Sequence, residues 1–209
     1  MSAANVKYPG VAAVILAAGE SSRMGGPKAL LEYGGKYFIE AVRAALSEAG
    51  VGAIIAVLGG NADEIRGKWK PEGVVFAVNP RPEEGQLSSL RAGLKAAPAS
   101  AEAVLVCLAD QPAILPGTYK EIIDRWLADK GSIVIPRTVR PSDARLKRGH
   151  PIIIPALYKE LCFAGPLEAG LHWVTHHPSV KIADLDVADG NIIVDIDTPE
   201  DYRKLKEGR

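Results

Sequence analysis

An excess of charge of either sign is absent from this sequence: 25 Lys and Arg balance 25 Asp and Glu over 209 residues. No long-range field therefore draws the chain to nucleic acid or to an anionic membrane, and any anion it binds must be held locally. Cysteine is nearly absent as well. Cys107 and Cys162 stand in apolar surroundings with no CxxC-like partner, so they read as buried small hydrophobes in a reducing compartment. No apolar run is long enough to cross a bilayer. Residues 1–9 carry one Lys and no apolar core, so no signal peptide is expected and the cytoplasm is the expected location. The two commonest phosphate loops are missing too: there is no GxGxxG, and the GxxxxGK[ST] spacing fails because Lys28 follows Pro27 and precedes Ala29.

What is present is the material of one soluble domain, 47% hydrophobic and 24% charged, with ample side chains for a core. Apolar runs alternate with amphipathic stretches, which predicts an α/β domain: three layers, α/β/α, around a mainly parallel sheet, spanning residues 1–209. Strands are expected at 11–17, 53–58, 74–78, 103–109, 132–135 and 151–154. Helices are expected at 37–49, 88–97 and 116–129, with a short one behind Asn61 as N-cap. Residues 137–149 are basic and turn-rich and read as a mobile surface loop. Beyond them, 156–163 and 168–176 read as helices. The runs 182–187 and 192–196 read as paired strands about a hairpin-type turn at Asp189-Gly190, and a charged helix follows Thr198.

Chemistry concentrates where apolar strands end. The first strand opens into Leu16-Ala17-Ala18-Gly19-Glu20-Ser21-Ser22-Arg23-Met24-Gly25-Gly26-Pro27-Lys28. Glycines let backbone N–H groups approach an anion, and Arg23 and Lys28 add fixed positive charge. Asp110 ends the run 104–109 at the carboxyl edge of the sheet, where open α/β proteins bind ligands; taken alone it reads as a turn or N-cap Asp before Gln111-Pro112. In Asp195-Ile196-Asp197-Thr198-Pro199-Glu200-Asp201, alternation places Asp195 and Asp197 on one side of a strand end, and Thr198-Pro199 starts a helix. Ser88 reads as a cap for the helix it opens. His172 and His176 have the i, i+4 spacing of a metal pair but no evident third ligand.

The loop string resembles the LAAGxSxRMGxxK signature of nucleotidyltransferases with a glycosyltransferase-A-type fold, and within these the molybdenum cofactor cytidylyltransferases. Leu108-Ala109-Asp110-Gln111-Pro112 is similar to their L-x-D-Q-P motif, and 195–201 to their D-I-D-T-P-E-D string. Asn79-Pro80 with Gly85-Gln86-Leu87-Ser88-Ser89-Leu90 matches a further motif, and Gly149-His150-Pro151 resembles a G-H-P string on the acceptor side.

The resemblance implies a Mg²⁺-dependent transfer of CMP from CTP to molybdopterin cofactor, with pyrophosphate released. It implies Arg23, Lys28 and Asp110 as catalytic groups, and Asp110 and Asp197 as Mg²⁺ ligands, with Asp195 a weaker candidate. Leu16, Ala17, Ala18, Gly19, Arg23, Lys28, Ser89 and Gln111 would bind the nucleotide, Gln111 marking cytidylyl against guanylyl transfer. His150 would face the acceptor, and a loop histidine without a ligand is the alternative. One departure stands out: the family's G-D-x-G-A-R-type string is here Gly165-Pro166-Leu167-Glu168-Ala169-Gly170, without its Asp and Arg. Other acceptors, such as methylerythritol phosphate or a sugar phosphate, therefore stay open. So does a non-catalytic maturation partner of a molybdenum hydroxylase, although a carrier has no need of Asp110, Asp197 and Lys28 together. A dinucleotide-using oxidoreductase is disfavoured by the missing GxGxxG.

Overall fold

Alternate residues of the first strand face opposite ways, and in the computed structural model both faces are covered. The structure describes residues 6–19 and 25–208. Strand β1 (Val11–Ala17) sends Val11, Ala13 and Ile15 into one core and Ala12 and Val14 into another. The first core is closed by α1 (Phe38–Ala49), which follows the short hairpin β2 (Glu32–Tyr33) and β3 (Lys36–Tyr37). The chain then lays β4 (Ala53–Leu58) parallel to β1, turns through α2 (Ala62–Lys68), and adds β5 (Val74–Val78) parallel to β4. Helix α3 (Gln86–Ala96) covers the second core through Leu87, Leu90 and Leu94, and returns the chain to β6 (Ala103–Leu108) on the other side of β1.

Helix α4 (Pro116–Ala128) packs beside α1. It leads to β7 (Ser132–Val139), β8 (Leu146–Arg148) and β9 (Ile152–Pro155). Helices α5 (Lys159–Ala164) and α6 (Gly170–Thr175) join α3 on the second face. Strand β10 (Lys181–Asp186) pairs with β7, and α7 (Pro199–Lys206) ends the fold. The sheet order is β10-β7-β9-β6-β1-β4-β5, with β8 on β7; β9 runs antiparallel to β6 and β7. Helices on both faces of a mainly parallel sheet are the architecture the alternation predicts. Both cysteines are buried and unbridged, and burial pushes the Cys162 thiol up to about 11. No helix among the described residues is long and apolar enough to cross a membrane.

Two expectations are corrected. Residues 137–149 are not simply a loop, because β7 continues to Val139 and pairs antiparallel with β8. Charge links this ribbon to β10: Arg137 pairs with Asp186, and Arg148 Nε lies 2.7 Å from Asp184 Oδ1. Residues 192–196 form no strand. They follow a 3₁₀ turn over Gly190–Ile193, with Ile192 and Ile196 buried and Val194 exposed. Strand alternation would bury Val194 with them, but the backbone here finds partners other than a strand.

Asp189 is therefore no hairpin residue. Its carboxylate accepts from Leu115 N (2.9 Å), Thr118 Oγ1 (2.7 Å), Asn191 N (3.0 Å) and Asn191 Nδ2 (2.8 Å). It serves the first turn of α4, whose own N-cap residue, Leu115, offers no side-chain acceptor. Asp189→Ala leaves those donors unpaired in a buried place and should cost roughly 3 kcal/mol in a urea or guanidinium titration. A loss within experimental error would show that the α4 start does not depend on it.

Candidate functional site

Between β1 and β6 the chain order reverses: β4 and β5 lie on one side of β1, β6 on the other. Loops leaving the carboxyl ends of these strands part there, and a crevice results. It is a cavity of about 330 Å³. Leu16, Ala17, Ala18 and Gly19 line it from β1, Leu108, Ala109 and Asp110 from β6, and Lys28 from the turn behind Pro27. Sequence reasoning missed the contributions of Gly59, Asn61, Pro82, Gly85 and Gln86. Gly59 is dictated by space, since a Cβ there would stand 2.4 Å from the Ala18 carbonyl oxygen.

Ser89 lines the cavity from the first turn of α3. Buried Asn79, just past β5, donates through Nδ2 to Ser88 Oγ at 2.8 Å and Ser89 Oγ at 3.0 Å. Because Ser89 Oγ accepts that bond, its own proton is left to donate toward a ligand. Ser88 is not a helix cap. It lies inside α3, and its hydroxyl bonds the Gly85 carbonyl at 2.7 Å. The signal for Asn79 was present in the sequence, as an amide after an apolar strand, but its partners were not.

Lys28 Nζ contacts Asp197 and stands 3.7 Å from Asp110 Oδ2, so one ammonium joins the two carboxylates. Asp197 reaches this point because α7 is pinned. Thr198 and Asp201 form a reciprocal capping box with Pro199 at the first helical position. Tyr202 bonds both backbone groups of Glu32 and stacks edge-on against Phe38. Burial pushes the Asp110 carboxyl up to about 6, against the pull of Lys28 and with the help of Asp195 and Asp197.

The pair Asp110 and Asp197 suits a hard divalent cation: both supply carboxylate oxygens, and both already converge on a positive charge. Among the described residues no group of three or more His, Cys, Asp or Glu side chains could hold a metal. Two carboxylates suffice where substrate phosphates and water complete the shell, as for Mg²⁺.

Other predicted residues fall elsewhere. Arg23 lies outside the described residues. Gln111 is buried and does not line the cavity; its Nε2 donates to Ile192 O at 3.2 Å and Asp195 Oδ1 at 2.9 Å. Asp195 thus meets an amide where Asp197 meets Lys28. The His150 ring nitrogen Nε2 is buried without a partner among the described residues, and burial drives its pKa down to about 4, opposed by Asp195. His172 and His176, which do not line the cavity, stack on each other at 3.6 Å, and His176 Nδ1 lies 3.0 Å from the His172 carbonyl oxygen.

The family described as MobA-like NTP transferase domain matches residues 13–178. A protein of Paenarthrobacter nicotinovorans named nicotine blue oxidoreductase is 30% identical over 199 residues, covering 94% of this chain and 97% of its own. The crystal structure of Rv0371c from Mycobacterium tuberculosis H37Rv superposes with a TM-score of 0.80 at 30% identity, over 94% of this chain and 97% of that one. A second structure of Rv0371c, in complex with manganese, gives 0.78 at 28% identity, over 95% and 99%. A nucleotidyl transferase from Methanothermobacter thermautotroptrophicus gives 0.78 at 26% identity, over 96% and 97%.

The His150 environment makes a stability prediction. The ring is neutral when folded and gains a proton more readily when unfolded, so stability is complete above the unfolded value near 6.5 and falls as pH drops toward about 4. From pH 7.5 to pH 5 the contribution lost is about 2 kcal/mol. His150→Gln should remove that part of the acid slope in denaturant titrations at the two pH values. Equal slopes for both proteins would refute the buried neutral ring.

Proposed function

We propose a specific transfer from the premise that the chain belongs to the MobA-like NTP transferase domain family and is an enzyme of the nucleotidyltransferase class. The proposed reaction moves CMP from CTP to a phosphorylated small molecule, with molybdopterin cofactor as the first candidate, and releases pyrophosphate. The observation that carries it is the Lys28 ammonium between Asp110 and Asp197 at a cavity lined by Leu16–Gly19.

A nucleoside triphosphate brings about four negative charges, and more charge gathers on the bridging oxygen as pyrophosphate departs. Lys28, Arg23 and the loop N–H groups would bind the phosphates and hold attack in line. Asp110 and Asp197 would hold Mg²⁺, which when bound neutralises phosphate oxygens. The manganese complex of Rv0371c supports a divalent ion at a related fold. An acceptor phosphate oxygen bonds to the α-phosphorus while the bond to the bridging oxygen breaks. A phosphate monoester with a second pKa near ~6 is largely dianionic at neutral pH, so no side chain need remove a proton. Ser89 would donate to the base edge, and the wrong base would leave buried polar groups unpaired. His150 would lie on the acceptor side.

The name of the relative from Paenarthrobacter nicotinovorans supports a second reading, as an oxidoreductase. Calorimetry with Mg²⁺ and each nucleoside triphosphate, run beside a titration with reduced nicotinamide dinucleotide, tests both. CTP should bind more tightly than GTP. Tighter GTP binding overturns the cytidylyl assignment, and binding of the dinucleotide alone favours the second reading. Lys28→Ala should keep the fold and lower turnover by on the order of 10²–10³, the usual loss on removing one charge-stabilising donor. Pyrophosphate release at the parent rate would remove Lys28 from the phosphate site.

A further inference from the structure

Asp197 lies on a segment without regular structure, between a 3₁₀ turn and α7. Something other than a strand ladder must therefore set its distance from Asp110. The contacts that cross from the Asp110 turn to this segment are few. Ile196 N donates to the Asp110 carbonyl at 3.3 Å, and Gln111 Nε2 donates to both the Ile192 carbonyl and Asp195 Oδ1. The same Ile192 carbonyl accepts from His150 N at 3.1 Å. Gly149 permits that approach, since a Cβ on it would stand 2.0 Å from the Ile192 oxygen.

The Gln111 amide is committed to this task. Both its N–H groups face oxygens, while its Oε1 is buried with no partner among the described residues. Turning the amide over would set Oε1 against a carbonyl and a carboxylate and forfeit two donors, so the bonding network fixes the orientation. A side chain engaged in this way, buried and away from the cavity lining, has no donor left to offer a nucleobase.

We propose that Gln111 is a positioning residue: by bonding Asp195 and the Ile192 carbonyl it sets the spacing of Asp110 and Asp197, and hence the affinity of the divalent-cation site, without reading the base. This rests on the nucleotidyltransferase reading of the site. Gln111→Met keeps the volume and removes the donors. It also leaves the Ile192 carbonyl with His150 N as its bonding partner and Asp195 without its amide. Removing an outer partner of this kind weakens a metal site about 10–100-fold.

The test is Mn²⁺ binding, followed by electron paramagnetic resonance, with CTP and GTP affinities measured by calorimetry on the same proteins. Gln111→Met and Asp195→Ala should each weaken Mn²⁺ by about 10–100-fold and leave the CTP to GTP ratio unchanged. The two together should be no worse than Gln111→Met alone, because the contact that Asp195→Ala removes is one of the two that Gln111→Met removes. Asp195→Asn keeps an acceptor oxygen and should restore binding close to that of the parent. Asp195 is exposed, so its variants fold even if Gln111→Met does not.

A changed nucleotide ratio with unchanged Mn²⁺ affinity in Gln111→Met overturns the proposal in favour of base reading. Loss of Mn²⁺ in Asp195→Asn equal to that in Asp195→Ala overturns it in favour of direct ligation. Asp110→Asn separates this from the underlying reading. If Asp110→Asn binds Mn²⁺ like the parent, or the parent binds none, the cation site itself is wrong. If Asp110→Asn loses Mn²⁺ while Gln111→Met and Asp195→Ala keep it, only the positioning role fails.

Discussion

The constraint on which the rest depends is the central place of β1. It is paired along its length with β4 on one edge and β6 on the other, and its two faces are buried in separate cores. A strand so enclosed must be apolar on both sides, and its only polar opportunity is the point where it ends. The chain leaves β1 toward β4 and β5 and later returns to β6 beyond it, so the loops after β1 and β6 diverge. The cavity is the space between them, and Asp110 and Leu16–Gly19 line it because they end their strands there.

Much of this was legible because buried parallel strands are continuous apolar runs. The strands at 53–58 and 74–78 have the boundaries that hydropathy suggested. Reading failed where the backbone bonds something other than a neighbouring strand. Ile192 and Ile196 are buried, yet Val194, which strand alternation would bury with them, is exposed, because the bonds of that stretch go to Gln111, His150 and the Asp110 carbonyl. The β7–β8 ribbon was missed for the opposite reason: its strands pair through the backbone, but β8 is exposed and charged, so no apolar pattern marks it.

The same division runs through the site. Lys28, Asp110 and Ser89 line the cavity and Asp197 meets Lys28; each was singled out by a local string and by what that string resembles, since Asp110 taken alone reads as a turn residue. What a string does not carry is direction. Gln111 and Asp110 are adjacent in sequence, yet one points into packed structure and the other into the cavity. Asn79 was visible as a residue but not as the group that leaves the Ser89 proton available.

Charge balance ties these parts together. A molecule with no net charge can hold an anion only where local charges are arranged for it, and here the arrangement is uneven. Among the described residues one ammonium meets two carboxylates, Asp195 is met by an amide, and burial already raises Asp110. Under nucleotidyl transfer, a triphosphate entering alone would draw Lys28 toward its own oxygens and leave two carboxylates facing phosphate, which Coulomb repulsion opposes. A divalent cation entering alone would meet an ammonium already seated between the two carboxylates proposed to hold it. Entering together, the cation would satisfy the carboxylates and the triphosphate would satisfy Lys28, so each would remove the cost of the other. Such reciprocity is a coupling free energy between two ligands at one site. It follows from the placement of a single lysine, which the loop after β1 and the capped start of α7 bring together from opposite ends of the chain.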